Sequence, residues 1–125
     1  MQGPAWGKSP PDLVDAFAAA IADLPRSEPR KMFGFPAAFV NGHLFTGLFE
    51  DRWFVRLPEA DRAELAATGA AAFEPMPGRP MRDYLELPAA ILADEAARDG
   101  WLRRSLDHVA SLPPKEKKPT KPKKR

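Results

Sequence analysis

Residues 31–57 read KMFGFPAAFVNGHLFTGLFEDRWFVRL and hold seven of the chain's twelve aromatic side chains. Three apolar runs, KMFGFPAAFV, HLFTGLF and WFVRL, are separated by Asn41-Gly42 and by Glu50-Asp51-Arg52. Aromatic and β-branched runs of this length bounded by turn residues predict strands, and short connections predict an antiparallel meander. Asn-Gly tolerates the positive φ values that a two-residue type I′ hairpin needs, which makes Asn41-Gly42 the sharpest local signal in the chain. Gly34 and Pro36 sit poorly inside a strand, so the first run is expected to bulge or to lie at a sheet edge.

Working outward from this block, helices are predicted on both sides. Before it, Ser9 stands as N-cap, Pro10 at the first helical position and Asp12 as a box-like partner. Leu13, Phe17, Ile21 and Leu24, with Val14 and Ala18 beside them, then form one apolar face until Pro25 forbids continuation. After the block, Pro58-Glu59-Ala60-Asp61 opens a short helix that runs through Leu65 to a stop at Gly69. AAFEPM and RDYLEL read as two further strands around the turn-rich PGRP. Pro88 to Ala93 suggests a helical turn. Asp94 caps a last helix on which Trp101, Leu102, Ser105, Leu106, Val109 and Leu112 form one stripe, with Asp99 and Arg103 spaced as an i,i+4 ion pair.

The resulting order is α-β-β-β-α-β-β-α. Two antiparallel strand groups separated by a helix give an α+β two-layer domain: one antiparallel sheet with helices on one face. The 125 residues suffice for one core, read as a flexible 1–8, a domain over 9–112 and a tail over 113–125. The balance of 44% apolar and 29% charged residues is that of a globular chain. There is no cysteine, which excludes disulfides, thiolate metal sites and cysteine nucleophiles. Neither a secretory leader pattern nor an apolar run of about 18 residues occurs, so a cytoplasmic protein without membrane contact is expected.

The net charge of +2 hides an asymmetry. Pro113 to Arg125 carries seven cations (Lys115, Lys117, Lys118, Lys121, Lys123, Lys124 and Arg125) against Glu116, a net of 7 − 1 = +6, so residues 1–112 sum to 2 − 6 = −4. Lacking large apolar side chains, this tail is expected to be disordered and to offer unspecific phosphate binding to nucleic acid.

A search for chemistry returns little. Two histidines, His43 and His108, are too few and too far apart for a metal constellation, and neither GxGxxG nor GxxxxGK[ST] occurs. Ser9, Ser27, Ser105 and Ser111 lack a nucleophile-elbow context. The acid pairs Glu50-Asp51 and Asp94-Glu95 coincide with a turn and a helix start, and Phe45, Phe49, Trp53 and Phe54 are explained by strand packing. No cofactor, metal or catalytic residue is expected.

Taken together, Arg30-Lys31-Met32-Phe33-Gly34, Asn41-Gly42, Asp51-Arg52, Gly69-Ala70, Phe73-Glu74-Pro75-Met76, Gly78-Arg79-Pro80-Met81-Arg82-Asp83-Tyr84 and Trp101-Leu102-Arg103-Arg104-Ser105-Leu106 resemble the N-terminal domain of TfoX/Sxy competence regulators, over roughly residues 10–112. The resemblance implies a two-layer fold like that of secretion chaperones, no catalytic centre, and a regulatory or adaptor role through a protein partner such as an activator or the transcription machinery. Within the pattern Arg30, Lys31, Arg79 and Arg82 are the candidate binding surface. Gly34 and Gly78 are expected to serve backbone geometry, and Met32, Phe33, Met76, Met81 and Tyr84 to serve packing.

Overall fold

A computed structural model describes residues 9–113 apart from 33, 76 and 77. The elements are α1 (Pro11–Ala22), β1 (Glu28–Met32), β2 (Phe35–Val40), β3 (His43–Phe49), β4 (Arg52–Arg56), α2 (Glu59–Ala66), β5 (Tyr84–Glu86), α3 (Ala89–Leu92) and α4 (Glu95–Ala110). The strands form one antiparallel sheet in the order β1-β2-β3-β4-β5, with the helices packed on one face. The α+β class and the one-sided helices agree with the sequence reading.

The partition of the strands does not. The run KMFGFPAAFV is a hairpin rather than one strand: β1 starts earlier, at Glu28, and the chain reverses before Phe35 with Gly34 at φ 82°. Glycine carries this left-handed backbone without the steric cost of a Cβ. AAFEPM, in turn, contributes among its described residues an isolated bridge from Ala72 to Leu85 and no strand. The bridge is closed by Phe73 N–H donating to Tyr84 O and Glu86 N–H to Ala71 O, and past it the side chain of Phe73 packs on the sheet while its carbonyl accepts from Met81 N–H. The order is therefore α-β-β-β-β-α-β-α-α, the sheet still holding five strands.

Other local expectations divide. Asn41 and Gly42 have φ of 53° and 83°, as the type I′ turn requires. Asp94 caps α4, its Oδ1 accepting from Ala97 N–H at 3.2 Å. Ser9 does not cap α1: Pro10 occupies the N-cap with no side-chain bond, and Ser9 Oγ is buried without a partner. Asp99 pairs with Arg98 at 3.0 Å rather than with Arg103. Arg98 is largely buried over the Trp53 ring, so the nearer, desolvated cation takes the carboxylate. Residues 1–8, Phe33, Met76, Pro77 and the tail from residue 114 onward lie outside the described residues.

The sheet has two unlike faces. Against the helices stands a core of seventeen buried residues, including Phe17, Ile21, Val40, Phe45, Trp53, Val55, Leu102 and Val109. Against the connection between α2 and β5 stand four, Ala37, Leu44, Phe54 and Phe73, with Met32, Phe39, Phe49, Met81 and Tyr84 partly buried around them. Period-2 alternation explains the split on β4, where Trp53 and Val55 face the helices and Phe54 faces the connection.

A bulge ties the sheet to the last helix. Ala38 pairs with Thr46 but Phe39 with Leu44, so β3 carries Phe45 as an extra residue. Bulging turns Phe45 into the helix-side core and takes its carbonyl out of the regular ladder. Ser105 on α4 donates its hydroxyl to that carbonyl at 2.8 Å, both groups buried. Asn41 Nδ2 donates to Ala110 O at 3.2 Å, fastening the end of α4 to the β2–β3 turn.

Candidate interaction surface

The four candidate cations do not form one rim. Arg30 and Lys31 are exposed on β1, whereas Arg82 directly precedes Asp83 and β5. β1 and β5 are the opposite edges of the sheet, four strand spacings or about 19 Å apart. Arg79 is exposed on the loop leading to Arg82.

On the β1 side, Arg30 pairs with Glu28 at 3.1 Å and lies over the Phe39 ring at 5.0 Å. Both partners of the ion pair are more than half exposed, so it holds the guanidinium in place without adding much stability. α1 packs across β2 and β3, and a groove of about 390 Å³ opens between it and β1. Phe17, Ile21, Pro29, Arg30 and Pro36 line it together with Ala18.

On the β5 side, Arg82 lines a shallow groove of about 460 Å³ with Glu59, Arg62, Met81 and Tyr84. Its cations are already engaged in part: Asp83 accepts from Arg62 at 3.3 Å and faces Arg56 at 3.6 Å, and Arg62 also donates to Leu57 O at 2.6 Å. Arg56 further stands 6.0 Å from the Tyr84 ring centre, while its Nε is buried without a partner. Burial pushes the Tyr84 phenol up, against the nearby Arg56 charge. Its hydroxyl donates to Leu44 O at 3.1 Å, across β4.

Next to this lies a clamp that the sequence did not suggest. Arg104 on α4 binds Glu64 on α2 with two bonds of 2.9 and 3.1 Å, reaches Asp61 at 3.6 Å and stacks 4.3 Å above Trp101. The hydrogen bond from Arg104 holds the Glu64 carboxyl below its usual range. These partners are forty residues apart in the chain, so no local spacing announces them.

Of the two histidines, His43 Nε2 lies 2.8 Å from Pro113 O, so the ring donates there and holds the end of the described chain beside the β2–β3 turn. His108 is half-buried on α4, where burial, then Arg56, depresses its pKa. They remain separate, and among the described residues no group of three His, Cys, Asp or Glu could hold a metal ion. No helix among the described residues is long and apolar enough to cross a membrane.

An antiparallel sheet roofed by helices on one face and closed by a packed connection on the other defines a small two-layer α+β module. The model of the TfoX N-terminal domain matches residues 19–109, and the chain belongs to that family. TfoX N-terminal domains are non-catalytic. No curated protein matches the chain.

Proposed function

We propose that this domain is a cytoplasmic, non-enzymatic adaptor that works by contacting another protein, in the manner of a regulatory module. The observation that carries the reading is the uneven closure of the sheet. Helices cover one face and Phe73 with its connection covers the other, while Ala72 bridges β5 at its outer side. β1 remains as an exposed terminal strand beside an apolar groove. An edge strand with free backbone groups is a standing template for pairing with another chain. Quantitative affinity capture from native cytoplasm, with the full chain and with a version ending at Leu112, tests this. One protein retained near stoichiometrically by both versions is expected. No retained protein, together with turnover in a broad substrate screen, overturns it.

A second reading rests on the tail's charge. Residues 113–125 carry +6 in a chain whose remainder sums to −4, and Pro113, where they begin, is held by His43. Nucleic-acid binding would then be unspecific and salt-dependent, with a slope of log K against log salt of at most about −6. Equal affinity of the full chain and the version ending at Leu112 for two unrelated duplexes would rule this out.

A further inference from the structure

We infer that the groove between α1 and β1 receives an extended segment of a partner protein, one carrying a large apolar side chain flanked by acidic residues. This rests on the protein-contact reading above and adds the place and the chemistry of the contact.

Three observations converge. The outer side of β1 is the sheet's terminal edge, and its first four residues are exposed. Beside that edge the groove is floored by hydrocarbon from Phe17, Ile21, Pro29 and Pro36, and its 390 Å³ is within the range of pockets that bury a ligand side chain. A terminal strand edge beside an apolar groove suits strand addition: the incoming backbone meets the edge, and alternate side chains drop into the groove.

Charge selects the occupant. Residues 26–31 hold Arg26, Arg30 and Lys31 against Glu28, a net of 3 − 1 = +2, in a body of residues 1–112 that sums to −4. The β1 edge is thus cationic, and acids on the partner complement it. The same charge argues against other occupants. A second copy would set +2 against +2 along the strand, where opposed like charges destabilise pairing. The chain's own tail, at +6, is repelled by the same residues.

The test is selection of ten-residue peptides from a random display library on the full chain. Synthetic, fluorescein-labelled versions of the enriched sequences follow, with their sites located from amide shifts. Enriched peptides should place Asp or Glu beside Leu, Ile or Phe and shift amides in residues 14–37. Ala18→Glu, which fills the groove from an exposed helical position, and the pair Arg30→Glu/Lys31→Glu should each weaken binding at least tenfold with unchanged melting temperature. A peptide with its acids exchanged for lysine should regain affinity for the second variant. Peptides that bind but shift α2 and β5 instead would overturn this site and leave the protein-contact reading standing. Enrichment of basic or uncharged peptides would overturn the acidic partner. A concentration-dependent dimer abolished by Ala18→Glu would replace the partner with a second copy. No enrichment over the unfolded chain would overturn both readings.

Discussion

The helix side and the connection side of the sheet are built on the same three strands, β2, β3 and β4, by different means. On the helix side, regular elements bring seventeen buried residues together, and the polar side chains of Thr46, Trp53 and Ser105 are hydrogen-bonded there. Trp53 Nε1 donates to Thr46 Oγ1 at 2.9 Å, and Thr46 Oγ1 in turn donates to Phe54 O at 2.7 Å. On the connection side, four buried residues suffice because aromatic rings meet closely, Phe54 stacking on Phe73 at 4.1 Å between centroids. One side gains stability from area, the other from fit.

If that contrast is right, the largest losses come from the helix side. Phe17 and Trp53 are nearly or wholly buried, with ring centres 5.2 Å apart. Each of Phe17→Ala and Trp53→Ala is expected to cost about 3–5 kcal/mol, a large share of the roughly 5–15 kcal/mol that holds a domain together. Urea unfolding monitored by far-UV circular dichroism checks this, and unchanged midpoints for both would place the main core elsewhere.

The connection side should fail by crowding rather than by loss of area. A Cβ built on Gly47 would stand 2.7 Å from Phe54 Cζ and 3.3 Å from Pro36 O. The Phe54 ring therefore fills the space a side chain at Gly47 would take, and Gly47→Ala is expected to cost about 1–3 kcal/mol. Combining it with Phe54→Leu should return part of that cost, which a double-mutant cycle reads as coupling. Additive losses would mean the ring has room to move. Thr46→Val, which leaves the Trp53 N–H unpaired on the opposite face, is expected to cost a similar 1–3 kcal/mol, with the indole fluorescence altered in the folded state.

The same contrast separates what could be read in the sequence from what could not. Helix-side residues such as Phe17, Ile21, Leu102, Leu106 and Val109 recur at helical spacing, and the Asn41-Gly42 and Asp94 signals are local chemistry; all of these were legible. The hairpin hidden in KMFGFPAAFV was not, because Glu28 to Arg30 is too polar to read as a strand and pairs only as an exposed edge. AAFEPM reads as a strand because its apolar content signals burial, but burial on a sheet face needs no more than the single bridge that holds Phe73 there. Among the candidate site residues, composition could find the cations but not their placement. Arg30 and Arg82 fall on opposite edges through strand order alone, and the Arg104 clamp depends on two helices meeting forty residues apart.

The smallest expected effect lies where the two sides meet, at His108. Its ring, half-buried on α4, faces Arg56 from β4, Asp83 from the approach to β5, and Asp61 and Arg62 from α2. Burial, reinforced by the Arg56 charge, holds its pKa below the ordinary 6.5, with the two aspartates opposing. The unfolded chain therefore binds a proton near pH 6.5 that the folded chain still refuses. Through the interval from 6.5 down to the folded value, stability falls as pH falls, and below that interval the loss is complete and constant. His108→Gln removes the titration while keeping a polar, similarly sized side chain. Its unfolding midpoint should decline less than that of the parent between pH 7 and pH 5, and a parallel decline in both would show that the ring is solvated and senses neither face of the sheet.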